Sequence, residues 1–248
     1  MNAGRYVHTL VLVLSYAFVS CGCFAQGLPP SASLQQRAAE ELRARIEASP
    51  VLAFHQQIFV AVPSVAGWKS GMVSGVAIAS NGKIYEVQRG PKSAPVLVLD
   101  AHGHVLRSWG ELGAGQYTVP HSIRLDPEGN VWTVDAATSR IVKYSPSGRR
   151  LMSIDVGGQP DNGSVFDGTT DIAFGPVGRI FIADGYGNAR VLEYTRAGKK
   201  VGEWGRRGAG PGEMNLPHSV QIEAGTLYVA DRENGRIEEF DLTGHYVG

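Results

Sequence analysis

The run Thr170-Asp171-Ile172-Ala173-Phe174-Gly175-Pro176-Val177-Gly178-Arg179-Ile180-Phe181 decides how this chain folds. Ile172-Ala173-Phe174 alternates apolar and small residues, the chain turns at Gly178, and an apolar strand resumes at Ile180-Phe181. That pattern is an antiparallel hairpin. The same core recurs as Val76-Ala77-Ile78 to Ile84-Tyr85 around Gly82, and as Ile123-Arg124-Leu125 to Val131-Trp132 around Gly129. A further copy runs from Val220-Gln221-Ile222 to Leu227-Tyr228 around Gly225. The aromatics that close these cores, Tyr85, Trp132, Phe181 and Tyr228, follow one another by 47, 49 and 47 residues. A period of that size, with several strands per unit, predicts the blades of a β-propeller.

The second half of each unit repeats as well. Asp135, Asp184 and Asp231 lead through Arg140-Ile141, Arg190-Val191 and Arg236-Ile237 into a third strand ending at Tyr144, Tyr194 or Phe240. A turn glycine follows each (Gly148, Gly198, Gly244), and Val105 to Gly110 and Val201 to Gly205 read as fourth strands. A feature present in every unit builds the architecture, so these Asp, Arg and Trp residues are assigned to turns and to packing between blades. Four units are countable before Gly248, and residues 57–62 could supply an odd strand. The expected organisation is a signal peptide over 1–25, a linker and short helix over 26–50, and an all-β propeller over 51–248.

The leader reading rests on Arg5 and His8 ahead of an apolar run from Leu10 to Val19, which is too short for a span of about 20 residues. Cys23-Phe24-Ala25 offers small residues for cleavage before Gln26, which implies export to the periplasm or the exterior with no membrane span afterwards. Lipidation at Cys21 is the lesser alternative, because Phe18-Val19-Ser20-Cys21 is a poor lipidation box. Both cysteines fall inside the leader, so a mature chain would hold a metal only through His, Asp or Glu. Ser33 with Gln36 suggests a capping box, and Leu34, Ala38, Leu42 and Ile46 recur on one helical face that ends at Ser49-Pro50. The 23 Lys and Arg balance 23 Asp and Glu, which argues against nucleic acid as a partner.

In a repeat fold, function is sought where one unit departs from its siblings. Pro120-His121-Ser122 and Pro217-His218-Ser219 are two such departures, at a point where the other units hold Ser74 or Gly75 and Thr170. Each His directly precedes the first strand of its blade, the strand that lines a propeller channel. Two neutral imidazoles there suit Zn²⁺; equally, they could be hydrogen-bonded at the channel mouth. Arg89 stands where the other units run on from an aspartate, and could hold a carboxylate by two parallel hydrogen bonds. Tyr186 occupies a loop position that holds Ala137 and Glu233 elsewhere, and a phenol there could act as a base.

The segments Ala183-Asp184-Gly185-Tyr186-Gly187-Asn188-Ala189-Arg190 and Gly208 to Ser219, followed by Val229-Ala230-Asp231-Arg232-Glu233-Asn234-Gly235-Arg236, resemble the peptidyl-α-hydroxyglycine α-amidating lyases. The resemblance covers about residues 72 to 248 and implies a six-bladed propeller of NHL type. It implies cleavage of a peptide ending in α-hydroxyglycine to the peptide amide and glyoxylate. On it, His121 and His218 would be two of three zinc ligands, Tyr186 the base, and Arg89 the substrate-holding cation. A structural calcium would take the backbone carbonyls of Val76 and Ile123. The resemblance puts the family's third histidine and a neighbouring calcium-binding aspartate in a later blade, which this chain ends before reaching; His245 follows His218 far too soon to fill the role, given the 97-residue step from His121 to His218. Gly187 stands where animal members carry a disulfide cysteine. The chain as it stands is therefore expected to bind zinc weakly and to self-associate. The competing class is a non-catalytic NHL propeller that binds a peptide or protein. A lactonase-type propeller would need acidic calcium ligands in the channel, and no matching carboxylate set is visible.

Overall fold

A computed structural model describes residues 32–48, 69–113, 116–160 and 163–248. The expected leader with Cys21 and Cys23, and the expected strand over 57–62, lie outside the described residues. The chain divides into two units, Met1–Ile58 and Phe59–Gly248. In the first, helix α1 spans Ala32–Glu47. Ser33 is the second residue of this helix and not the residue before it, so the expected capping box is displaced. Gln36 Nε2 donates instead to Glu40 Oε1 at 3.3 Å. The side chains of Leu34, Ala38, Leu42 and Ile46, the expected apolar face, lie outside those described.

The second unit is a β-propeller of four blades, each an antiparallel meander. The first holds β1 (Val73–Ile78), β2 (Ile84–Gln88), β3 (Val96–Leu99) and β4 (Val105–Trp109). The second holds β5 (Pro120–Leu125), β6 (Val131–Asp135), β7 (Arg140–Tyr144) and β8 (Arg150–Asp155). In the third are β9 (Asp171–Phe174), β10 (Ile180–Asp184), β11 (Arg190–Tyr194) and β12 (Lys200–Trp204). The fourth has β13 (Pro217–Glu223), β14 (Thr226–Asp231) and β15 (Arg236–Asp241), with Tyr246 bridging back to Phe240. The hairpins fall where the sequence places them. The strands that the repeat reading passes over, β3 and β8, end in Leu99 and Ile154-Asp155 in place of the aromatic or Trp-Gly of their counterparts.

Packing follows from the two-residue period of a strand. In β10, Ile180 and Ile182 face the second blade with Trp132, Val134 and Ile154. Phe181 and Ala183 face the fourth blade with Leu227, Val229 and Phe240. Between the first and second blades lie Tyr85, Val87, Val98, Tyr117, Ile123 and Val131. A fully buried side chain of this size contributes about 1.5–3 kcal/mol, so each blade gains its stability chiefly from its neighbours. The turn glycines serve the same contacts. Gly244 has φ 91, and a Cβ there would stand 2.7 Å from the Trp204 ring of the preceding blade. Gly148 meets Trp109 in the same way, at 2.9 Å. These indoles pack between blades, as their repetition implies.

The innermost strands β1, β5, β9 and β13 follow one another around the centre. Three of them carry a bulge, between Val73 and Gly75, Pro120 and Ser122, and Pro217 and Ser219. The extra residue is Ser74, His121 or His218. The two histidines thus sit inside their strands, not ahead of them. A bulge bends the strand and re-aims the unpaired side chain.

Candidate functional site

The three bulged residues Ser74, His121 and His218 share a level with Thr170, the residue that precedes the unbulged β9. Backbone carbonyls link this level from blade to blade. Ser74 Oγ donates to Pro120 O at 2.8 Å, and Thr170 Oγ1 donates to Pro217 O at 3.0 Å. Between them, His121 Nδ1 lies 2.7 Å from Thr170 O. A carbonyl only accepts, so the proton of a neutral His121 sits on Nδ1 and its Nε2 lone pair is free to accept. That lone pair faces the hydroxyl of Tyr186 at 2.9 Å.

The same hydroxyl is 3.2 Å from His218 Nε2, and the two imidazole centroids are 5.0 Å apart. Tyr186 meets both rings edge to face, at 5.3 and 5.6 Å. A hydroxyl has one proton, so Tyr186 donates to His121 and accepts from His218 Nε2–H. Burial lowers the pKa of His121 to about 4, against the opposing hydrogen bond to Thr170 and with a further lowering by Arg89. Burial lowers His218 to about 4 as well, reinforced by His121 and Arg232. Both rings are neutral at physiological pH, the state in which imidazole ligates a metal.

The paired histidines are joined by hydrogen bonds through the Tyr186 hydroxyl, which both Nε2 atoms face. These are donors of the type zinc takes, and they number two. Among the described residues no group of three or more His, Cys, Asp or Glu converges on a metal site. His245 is not a third, since it lies exposed beyond β15 against Asp241 at 3.2 Å and Thr243 at 2.8 Å.

Arg89 borders this cluster. Its Nε donates to Pro120 O at 2.7 Å and its guanidinium lies 5.4 Å from the Phe166 ring centroid. Burial lowers its pKa, while Tyr186 and Asp135 oppose that shift. Phe166 in turn packs on Tyr186 at 5.2 Å. Two residues that the sequence reading passes over belong here. Arg232 lies 5.6 Å from the Tyr186 ring centroid. Strand register pairs Val73 with Gln88 and Pro217 with Asp231, so Arg89 and Arg232 hold the same position in the first and fourth blades. The sequence carries that equivalence, but Arg232 follows the repeated Asp231 and so reads as part of the Asp-x-x-x run. Phe166 sits in an irregular loop, where periodicity gives no signal.

Val76 and Ile123 occupy matching places in β1 and β5, opposite Glu86 and Thr133 respectively. Ile123 is fully buried between the first two blades. The repeated aspartates do turn chemistry, as expected. Asp135 accepts from the amides of Thr118, Val119 and Thr138, Asp184 from Arg190 and Asp231 from Arg236. Gly187 is required by space: a Cβ there would stand 2.2 Å from Asp167 O. In this backbone no cysteine fits that position.

No protein-family model matches the chain. It is 30% identical over 203 residues to peptidylglycine alpha-amidating monooxygenase of Rattus norvegicus, covering 68% of this chain and 20% of that protein. It is 34% identical over 170 residues to peptidyl-alpha-hydroxyglycine alpha-amidating lyase 1 of Drosophila melanogaster, covering 62% of this chain and 31% of that one. To NHL repeat-containing protein 3 of Mus musculus it is 31% identical over 203 residues, covering 75% of this chain and 57% of that protein. The chain thus spans a fifth to a third of the length of the two amidating enzymes. Among solved structures, a streptogramin B lyase superposes with a TM-score of 0.56 at 20% identity, over 72% of this chain and 54% of that one, and supports the fold. Together with the blades and the histidine–tyrosine cluster, these similarities make the chain an NHL-repeat β-propeller of amidating-lyase-like sequence.

Proposed function

We propose that this chain is a lyase that cleaves the carbon–nitrogen bond of an α-hydroxyglycine (carbinolamide) group, giving an amide and glyoxylate. The observation that carries the reading is the Tyr186 hydroxyl within hydrogen-bond reach of both His121 Nε2 and His218 Nε2. A substrate hydroxyl placed within hydrogen-bond reach of the Tyr186 oxygen loses its proton to Tyr186, taken as phenolate. The oxygen's electrons form the aldehyde C=O, the C–N pair departs with nitrogen, and nitrogen takes up a proton to become the amide. Arg89 and Arg232 flank the phenol, and a guanidinium there pairs with the substrate carboxylate and with charge that develops during cleavage.

His121 and His218 would hold zinc through Nε2, His218 after moving its proton to Nδ1. Zinc held by these two nitrogens would supply Lewis acidity that lowers the pKa of a bound hydroxyl. The carbonyls of Val76 and Ile123 would hold a structural calcium, whose preferred ligands are oxygens. Export through a leader cleaved before Gln26 belongs to the same reading, and N-terminal sequencing of secreted protein tests it. No described helix is long and apolar enough to cross a membrane.

The test is incubation of the zinc-supplemented protein with a peptide ending in α-hydroxyglycine. Equal amounts of glyoxylate and peptide amide, well above the uncatalysed rate, are expected. Folded, zinc-loaded protein that yields neither would overturn the lyase reading. That result would favour the second reading, a non-catalytic propeller that binds a peptide or protein. Its support is the more extensive match to NHL repeat-containing protein 3, over 57% of that protein.

A further inference from the structure

One residue below the histidine level, the blades present Gly75, Ser122, Asp171 and Ser219. Here the third blade departs from its siblings by placing a carboxylate, 2% exposed, between two serines. Asp171 Oδ1 accepts from Ser122 Oγ at 2.9 Å, and Oδ2 accepts from Ser219 Oγ at 2.6 Å. Oδ2 also accepts from the Val220 amide at 3.2 Å and from Arg124 Nη2 at 2.5 Å, so the charge is balanced by an ion pair. Ser122 and Ser219 are the serines of the two Pro-His-Ser copies, each bonded covalently to its histidine. Both histidines are the extra residue of a bulge, and no ladder partner fixes them.

From this we infer that Asp171 is a positioning residue: it clamps the two Pro-His-Ser segments from the blade between them, so that His121 and His218 present Nε2 to one point. The role in metal binding rests on the zinc reading above; the clamp itself does not. Groups hydrogen-bonded to metal-ligating side chains typically change metal affinity 10–100-fold, roughly, when removed, and this sets the upper bound for Asp171, which acts one residue further out. Arg124 assists by holding Asp171, and lies 3.4 Å from Ser219 Oγ.

The experiment compares Asp171→Asn, Ser122→Ala and Ser219→Ala in the full chain. Imidazole ¹⁵N shifts are recorded without metal, and Zn²⁺ affinity is measured by competition with a chromophoric chelator. Ser122→Ala should move mainly the His121 signals, Ser219→Ala mainly those of His218, and Asp171→Asn both. Zn²⁺ affinity should fall roughly tenfold for each serine variant and up to about 100-fold for Asp171→Asn. If Asp171→Asn does not fold, the serine pair carries the test, because each removes one hydroxyl. Folded variants with unchanged imidazole signals overturn the clamp. Shifted signals in a protein whose wild type takes up no Zn²⁺ uphold the clamp and overturn the zinc reading.

Discussion

The interiors between blades and the bulged end of the channel are built from the same strands under opposite rules. Between blades, equivalent positions hold equivalent apolar residues: Tyr85, Trp132 and Phe181 are each almost fully buried against the next blade. At the bulges and the matching place ahead of β9, equivalent positions hold Ser74, His121, Thr170 and His218, and the contacts are hydrogen bonds with defined donors. The interior gains stability by repetition, which any blade can supply. At the bulged end the repeat is broken, and there two like residues in non-adjacent blades come within one hydroxyl of each other. Stability and chemistry are thereby separated by position along single strands, and substitutions should separate them too.

The largest effect is expected at the imidazoles. His121→Ala and His218→Ala should each abolish measurable Zn²⁺ binding, while the unfolding free energy changes by only about 1–2 kcal/mol for the lost hydrogen bonds. Equilibrium dialysis with metal analysis, alongside urea unfolding, reads both quantities. Either variant retaining full zinc occupancy removes that histidine from the site. Tyr186→Phe comes next. It keeps the ring contacts with both imidazoles and removes the hydroxyl, so turnover of an α-hydroxyglycine peptide should fall by roughly 10²–10⁴ with zinc retained. Arg89→Ala should likewise spare zinc and slow turnover. A Tyr186→Phe enzyme with unaltered kcat across pH would exclude the phenol as base.

Phe181→Ala probes the other side of the comparison. The ring is fully buried between the third and fourth blades, against Trp204 at 5.9 Å. Its loss should cost about 3–5 kcal/mol of stability, with Zn²⁺ affinity unchanged in the protein that remains folded. A drop in affinity without loss of stability would mean that the two regions are coupled.

The contrast also explains what could be read from the sequence. The blades were legible because a two-residue alternation and a 47–49-residue period leave their mark on every unit. His121, His218, Arg89 and Tyr186 were legible as exceptions to that period, and the structure brings all four into one cluster. Asp171 was not, although it is as clear an exception as the histidines: it opens a strand, and its role depends on two serines in other blades. Arg232 was hidden because it follows a repeated aspartate. The bulges themselves could not be foreseen, since an extra residue in a strand shows only in its pairing.

Glu86 is a polar exception inside the repetitive region, and it gives the smallest and most specific test. Its counterparts in the other blades are Thr133, Ile182 and Val229, set by the register of β1, β5, β9 and β13 with their second strands. The residue is 9% exposed, and its Oε1 has no hydrogen-bond partner among the described residues. Burial raises its pKa from 4.5 to about 6. A raised folded-state pKa means that the favourable contribution is complete below pH 4.5 and is lost as pH rises through about 6. A shift of this size corresponds to roughly 2 kcal/mol. Glu86→Gln should therefore match the wild type in acid and exceed it by about that amount above neutrality. The buried histidines impose the opposite slope on both proteins, because their lowered pKa values make stability rise with pH. Only the difference between the two urea-unfolding profiles isolates Glu86. A difference that stays flat with pH would mean that the carboxylate is ionised and satisfied in the fold, and that this interior tolerates charge as readily as the channel does.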